Sequence, residues 1–235
     1  MSSIINEVLN TTSGWLSKKE AELLYTIAYK KAGNIVEIGS YKGRSTVILA
    51  WAIMDADKTL IAQGKVYAID PQFFTKDFSS KALKENIVKH GIEKYVNIII
   101  KTSEEAHKGW TDSIDFLWID GDHAEEMAEK DFLLWEPHLK IGGVIAFHDA
   151  TFNFPGVRKV VGRYIFKSKR FKNVGFVDNI VFGIKCENNT MNDRIANLYN
   201  FFLKNLVTLT AFIKLPRFIK EFAKPVVRFM AKSKY

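Results

Sequence analysis

Short apolar strands and helical segments alternate along this chain, and this alternation constrains the fold more than any other feature. The predicted strands occupy residues 34–39, 65–70, 95–100, 114–120 and 142–149. Most of them end on a glycine or an aspartate, and a helical segment follows each one. Strands that alternate with helices are typical of a parallel sheet with helices on both faces. The pattern therefore predicts an α/β fold.

The last two predicted strands form a hairpin. They occupy residues 172–177 and 180–185, and Asp178 and Asn179 form the turn between them. One of these two strands must run antiparallel to the rest. We therefore predict a Rossmann-like, doubly wound sheet of seven strands, with five parallel strands in the order 3-2-1-4-5 and a C-terminal hairpin. Ligands of such sheets bind at the carboxyl ends of the strands.

Charge divides the chain into a neutral body and a basic tail. The net charge of the whole chain is +8, and residues 191–235 hold 9 Lys or Arg against 2 acidic residues, which leaves +1 for residues 1–190. The boundary predicts a catalytic or binding domain at 1–190 and a basic, amphipathic helical extension at 191–235. Nucleic acid is the least favoured partner, because the body is neutral and contains no recognised binding motif.

Three features of the sequence predict the cellular compartment of the protein. Cys186 is the single cysteine, so a disulfide framework is excluded. The first fifteen residues lack the basic and apolar regions of a secretory signal, and no apolar run is long enough to span a bilayer. We expect a cytoplasmic protein, which the basic tail would place at the inner membrane surface if it binds lipid.

A glycine loop follows the first strand. Gly39 and Gly43 allow a sharp turn and a close backbone approach to a ligand, and the next helix offers free N–H groups. The dinucleotide fingerprint would need glycine where Tyr41 stands, and a P-loop would need a closing Gly-Lys-Ser/Thr. Glu37 at the strand end would repel a pyrophosphate but suits a cationic ligand. An ordinary tight turn is the alternative.

Acidic residues and histidines end three other strands. Asp70 ends the second strand, where a carboxylate can accept hydrogen bonds from ribose hydroxyls; a turn or helix-capping role is the alternative. Asp120, His148 and Asp149 end the fourth and fifth strands, which are neighbours in the predicted order, so they are predicted to bind one divalent cation. His123 is a candidate general base. Asp122 is expected to cap the helix that follows.

Four segments in this order resemble the class I S-adenosylmethionine-dependent methyltransferases: VEIGSYKGRST, VYAIDP, DFLWIDGDH and GGVIAFHD. The resemblance covers residues 15–185, and it implies that residues 1–190 form a class I methyltransferase domain. It is strongest to the metal-dependent branch that includes macrolide-sugar O-methyltransferases and cephalosporin hydroxylase-like proteins. This chain has His148 where those relatives have an acidic residue, so Mg²⁺ and Mn²⁺ both stay open, as does a metal-free version in which His123 alone is the base.

The resemblance implies a role for each matching position. Asp70 would take the ribose hydroxyls of S-adenosylmethionine, and Asp120 would lie beside the cofactor and bind the metal with His148 and Asp149. His123 would be the base, and Tyr41 would lie over the cofactor or the substrate. The remaining expected cofactor-binding residues are Glu37, Gly39, Ser40, Gly43 and Ser45 at the glycine loop, with Ser103 and Glu104 against adenine.

The resemblance thus implies O-methylation of a sugar hydroxyl, in glycan, glycolipid or natural-product biosynthesis. The acceptor would be a small molecule or a glycan. Two alternatives stay open: methyl transfer to another small hydroxylated or phosphorylated acceptor, and a cofactor-binding partner protein without transferase activity.

The tail is amphipathic from residue 192 onward. Its apolar residues recur at steps of three and four, from Ile195 through Leu198 and Phe202 to Phe229, and Lys and Arg fall opposite them. Pro216 and Pro225 are expected to break the helix. Such a face suits a membrane surface or an anionic glycolipid. Docking on the core or on a second subunit, as in a homo-oligomer, is the alternative.

Overall fold

Seven strands form one sheet in the computed structural model, which describes residues 2–58, 64–72 and 78–212. The strands are β1 Ile35–Ile38, β2 Val66–Ile69, β3 Val96–Ile99, β4 Ile114–Ile119, β5 Leu139–Phe147, β6 Phe171–Val177 and β7 Ile180–Lys185. The α-helices are α1 Ser2–Thr11, α2 Lys18–Lys31, α3 Arg44–Asp57, α4 Phe78–Lys89, α5 Ser103–His107, α6 Glu125–Trp135, α7 Pro155–Val161 and α8 Met191–Phe212.

The strand order is β3-β2-β1-β4-β5-β7-β6, which confirms the predicted fold and the predicted order of the five parallel strands. β1 to β5 pair in parallel, and β7 runs antiparallel to both β5 and β6. In register, Ile38 lies beside both Ile69 and Ile119, and Ile119 lies beside Phe147. The residues that follow these four strands therefore meet at one edge of the sheet.

The two faces of the sheet bury separate apolar cores. Along β4, Phe116 and Trp118 pack against the core built with α1, α2 and α3. Leu117 and Ile119 pack against the opposite core, which α6 and α7 cover. Successive side chains of a strand point to opposite faces, so one short strand supplies both layers. This is why the buried strands read as continuous apolar runs.

Local signals predicted most element boundaries to within a few residues. The capping box of α2 is present, with Ser17 accepting from the Glu20 N–H group and Glu20 accepting from the Ser17 N–H group. Asp122 is not the N-cap that we expected for the next helix. Ala124 occupies that position, and the Asp122 side chain accepts a hydrogen bond of 2.8 Å from the Ala124 N–H group.

The C-terminal extension begins as the predicted helix, since α8 spans Met191–Phe212. The expected breaks at Pro216 and Pro225, and most of the basic residues of the tail, lie outside the described residues. Within the described residues, every helix is too short or too polar to cross a bilayer.

Candidate functional site

The carboxyl ends of β1, β2, β4 and β5 form the rim of the candidate site. Gly39, Asp70, Asp120 and His148 each follow one of these strands directly. Their backbone N–H groups continue the sheet: Gly39 donates to Ile69 O at 2.9 Å, and His148 donates in the same way to the end of β4 at 3.0 Å. The sheet thus fixes the backbone beneath every predicted site side chain of this rim.

The glycine loop is held by the carboxyl group of Glu37. This side chain is fully buried and accepts hydrogen bonds from the hydroxyl groups of Ser45 and Thr46. Burial raises the pKa of Glu37 to about 8, although the two hydroxyls oppose the shift. Glu37 and Ser45 therefore fasten the first turn of α3 to the end of β1.

The two loop glycines have conformations that only glycine adopts easily. Gly39 has φ +91°, and a Cβ atom on it would lie 2.1 Å from the carbonyl oxygen of Asp120. Gly43 has φ +87° and is the N-cap of α3. A side chain at Gly39 would therefore push β1 and β4 apart at the rim.

Asp70 is tied to the same loop. Its carboxylate accepts from the Tyr41 N–H group at 2.8 Å and from the Gln72 N–H group at 2.7 Å. Gln72 also donates through its side chain to Tyr41 O at 3.1 Å. A carboxylate offers about four lone-pair sites, so two are free to accept further hydrogen bonds from a ligand.

Ser40 provides a direct test of whether a polar cofactor fits here. Its side chain is buried, and its hydroxyl oxygen has no hydrogen-bond partner among the described residues. Buried hydroxyls are normally paired, so an unpaired one within a glycine loop suits a ligand with polar groups. The loop, Ser40 and Asp70 together fit a cofactor that carries a ribose.

Ser103 and Glu104 lie at the start of α5, which follows β3. The Ser103 hydroxyl accepts from Trp135 Nε1 at 2.8 Å, and Glu104 forms an ion pair with Lys130. Asp131, which sequence reasoning missed, is buried beneath Ser103 and next to Gly121. Burial raises the pKa of Asp131 to about 6. No local pattern distinguishes this aspartate from the other acidic residues of α6.

The remaining predicted residues form a cluster of carboxylates and imidazoles. Nδ1 of His148 lies 3.2 Å from Asp120 and 3.1 Å from Asp149, and Nε2 of His123 lies 3.1 Å from Asp149. On its other side, Nε2 of His148 lies 3.6 Å from the buried carboxylate of Glu20. The structure therefore brings all four predicted residues together and adds Glu20 of α2, which the sequence pattern assigned only to a capping box.

The charges of this cluster depend on one another. Burial alone would lower the pKa of His148, but Asp120, Asp149 and Glu20 raise it to about 12. Burial would raise the pKa of Asp149, but the two histidines hold it well below its usual value. The contact with Asp149 raises the pKa of His123. His148 is thus a buried cation and His123 is the more exposed imidazole.

A divalent cation fits part of this cluster. Asp120, His123 and Asp149 each offer a ligand atom, and these atoms lie within 4.8 Å of one another. Carboxylate oxygens suit Mg²⁺ or Mn²⁺, and an imidazole shifts the preference towards Mn²⁺. Two imidazoles are therefore candidates for the third metal ligand beside Asp120 and Asp149. His123 belongs to the group of three named above, and His148 lies next to that group.

Aromatic rings form the outer wall of the site; the sequence pattern identified Tyr41 among them but neither Trp15 nor Phe154. Trp15 is 77% exposed and stacks on Tyr41 with ring centroids 5.3 Å apart. Phe154 packs on the ring of His123 at a centroid distance of 4.1 Å. Trp15 precedes the capping box of α2 in a loop, so no periodicity could have placed it at the site.

Comparison with known proteins gives one family match and many structural matches. The family model described as a methyltransferase domain matches residues 36–150, which contain nearly all of β1 to β5 and every strand end of the rim. The cofactor-bound protein Rv0187 from MTB matches with a TM-score of 0.62 and 14% identity, over 80% of this chain and 88% of that chain.

Two O-methyltransferases match to a similar degree. The enzyme from Bacillus cereus, solved in complex with SAH, has a TM-score of 0.60 and 18% identity over 78% of this chain and 91% of that chain. The O-methyltransferase NovP has a TM-score of 0.61 and 15% identity over 73% of this chain and 81% of that chain. At these identities the likeness shows a shared fold.

The strand order and the glycine loop define the class I methyltransferase fold. The family match assigns residues 36–150 to a methyltransferase domain. Residues 36–150 therefore form a methyltransferase domain with the class I fold, as the sequence motifs predicted.

Replacing Asp131 by Asn should stabilise the protein at neutral and alkaline pH. Because the folded-state pKa of Asp131 is raised, the native state binds more protons than the unfolded state between about pH 4 and pH 6, and stability falls as pH rises through this window. Asparagine removes the buried charge, so we expect a gain of about 2 kcal/mol at pH 8 that shrinks towards pH 4.

Urea unfolding of the parent chain and of Asp131→Asn, followed between about pH 5 and pH 8, measures this difference. Asp112→Asn, at an exposed position, is the control and should show no comparable change with pH. If Asp131→Asn is less stable than the parent chain at pH 8, the raised pKa of Asp131 is contradicted.

Proposed function

We propose that this protein transfers a methyl group from S-adenosylmethionine to a hydroxyl group of a sugar, in glycan, glycolipid or natural-product biosynthesis. One observation carries the proposal: His123 stands at the open rim, in contact with Asp149, while an exposed aromatic wall borders the same glycine loop. This arrangement combines a proton acceptor with a surface that can hold a ring.

The cofactor would be held by the glycine loop and its neighbours. Gly39, Ser40, Tyr41 and Gly43 would face the methionine and ribose, and Asp70 would accept hydrogen bonds from the ribose hydroxyls; Ser103 and Glu104 would lie towards adenine. When bound, S-adenosylmethionine supplies a methyl group on a positively charged sulfur. Ser40's unpaired hydroxyl and the SAH complex of the Bacillus cereus enzyme support this assignment.

His123 would take the proton from the acceptor hydroxyl. Its side chain is 42% exposed, and Asp149 orients the ring through Nε2. A neutral imidazole held in this way removes a proton near physiological pH. Methyl transfer from a sulfonium needs little further chemical help, so alignment of the hydroxyl contributes most of the remaining acceleration.

A divalent cation, Mg²⁺ or Mn²⁺, is part of the proposal. Asp120 and Asp149 would bind it with His148, as the family resemblance implies. Because a metal ligand must be deprotonated, the cation would displace the proton that makes His148 positively charged, and His123 would stay free as the base. Bound there, the cation would lower the pKa of a hydroxyl beside it. The ligand atoms of Asp120, His123 and Asp149 lie close enough together to hold a cation, which supports this part of the proposal. Because His123 also contacts Asp149, His123 is the alternative to His148 as the third ligand.

A sugar is the acceptor class that the aromatic wall favours. Trp15 presents an open ring face beside the loop, and the C–H face of a pyranose packs on such a ring while its hydroxyls stay hydrated. Glycan and glycolipid acceptors made at the inner membrane surface would be reached from the cytoplasm. A phenol or a phosphorylated metabolite is the second acceptor class, and a catalytically silent cofactor-binding protein is the remaining alternative.

Labelled methyl transfer to a panel of methyl glycosides and to catechol tests the acceptor class. We expect label in a glycoside without any partner protein, and Trp15→Ala should raise the KM for that glycoside about tenfold or more with little change in cofactor affinity. Tyr29→Ala, an exposed aromatic on α2, is the control. Label in catechol alone would support the phenol acceptor, and no label in any acceptor would support the silent protein.

Replacing His123 by Ala should lower kcat by a factor of about 100 or more, because the acceptor hydroxyl loses its base. Affinity for S-adenosylhomocysteine and bound metal content should stay close to those of the parent chain. Calorimetry and elemental analysis measure both properties. If the variant loses its metal as well as its turnover, His123 is a metal ligand and the base must be sought elsewhere.

A further inference from the structure

The helix α8 packs against the protein through polar side chains together with two apolar ones, Phe201 and Leu203. Asn197 is fully buried; it accepts from the Val174 N–H group at 3.1 Å and donates to Phe171 O at 2.9 Å. Asn200 donates to Val174 O at 2.8 Å. β6 lies at the end of the sheet order, so these amides satisfy backbone groups that a neighbouring strand would otherwise pair.

The same inward side of α8 includes a buried lysine. Lys204 donates to Asp178 O at 2.6 Å in the turn between β6 and β7, and burial lowers its pKa to about 8. Arg158 of α7 donates to Asn205 at 2.8 Å. These hydrogen bonds of α8 hold the helix along β6.

The outward side of α8 is apolar. Seven large side chains are exposed there at helical spacing, with Phe202 64% and Ile195 60% exposed; the others are Met191, Leu198, Tyr199, Leu206 and Leu209. The charged residues of the described part of the helix, Asp193, Arg194 and Lys204, are all half-buried or buried. We call these seven residues the α8 stripe; spread over 19 helical residues, they extend about 27 Å.

We propose that the α8 stripe docks the protein on an anionic lipid surface. The chain continues from this helix into residues 213–235, which hold seven Lys or Arg and one acidic residue, Glu221. An apolar helical face that is followed along the chain by a dense run of Lys and Arg has the composition of a segment that lies in a membrane interface. Lysines and arginines that follow the face in the sequence add attraction to anionic headgroups.

The charge also argues against a second copy of this chain as the occupant. Two copies joined through the α8 stripe would each add the seven Lys or Arg and the one acidic residue of 213–235, and like net charge opposes association. The α8 stripe itself does not dock on the core, because its seven side chains are exposed while Asn197, Leu203 and Lys204 make that contact. An anionic lipid surface can bury the apolar α8 stripe and can also attract the positive charge of residues 213–235.

Flotation of the full chain with lipid vesicles tests the proposal. We expect the protein to float with vesicles of phosphatidylglycerol and phosphatidylcholine, much less with phosphatidylcholine alone, and less with anionic vesicles as salt is raised. The double variant Leu198→Glu/Phe202→Glu should lose at least tenfold in the bound fraction. Both positions are exposed, so circular dichroism and S-adenosylhomocysteine binding should remain those of the parent chain.

Leu133→Glu is the matched control, since Leu133 lies on α6 and is 54% exposed against 49% for Leu198. It should float like the parent chain. The proposal fails if the parent chain binds no vesicles, or if the double variant and the control bind equally. It also fails if sedimentation shows a parent dimer that the double variant dissociates, because a second copy then covers the stripe.

Discussion

The rim of this methyltransferase depends on the buried contact between Glu20 and His148. Glu20 is 1% exposed and makes three interactions: it accepts from the Ser17 N–H group, accepts from the Asn179 N–H group, and lies 3.6 Å from His148. It thereby connects α2, the β6–β7 turn and the end of β5. His148 in turn faces Asp120 and Asp149, so one buried cation balances three carboxylates.

This balance of charge explains how three carboxylates can lie close together at the site without destabilising the fold. Unpaired carboxylates at adjacent strand ends would repel each other and would be costly to bury. His148 holds Asp149 in its ionised form, and Asp149 then orients His123 at the open side. The buried imidazole therefore has a structural role in the described geometry, while the exposed one faces the place where an acceptor would bind.

Sequence reasoning predicted the parts of the fold that local pattern determines. Apolar runs and glycines placed the seven strands, and the convergence of strand ends brought Asp70, Asp120 and His148 to one rim. Long-range contacts were not accessible in this way: Glu20 and His148 are 128 positions apart, and Trp15 lies in a loop. For α8 the helical period revealed an amphipathic helix, but it could not show which side faces inward. Hydrogen bonds to the backbone of β6 and the packing of Phe201 and Leu203 determine that side.

The glycine loop and Asp70 are proposed to form the binding site of S-adenosylmethionine. Calorimetric titration of S-adenosylhomocysteine into the full chain tests it most directly, with Asp70→Ala as the variant and Asp112→Ala as the control. We predict saturable binding in the micromolar range, which corresponds to about −8 kcal/mol, and a loss of about tenfold or more in Asp70→Ala alone. Absence of binding, with or without added Mn²⁺, would contradict the account.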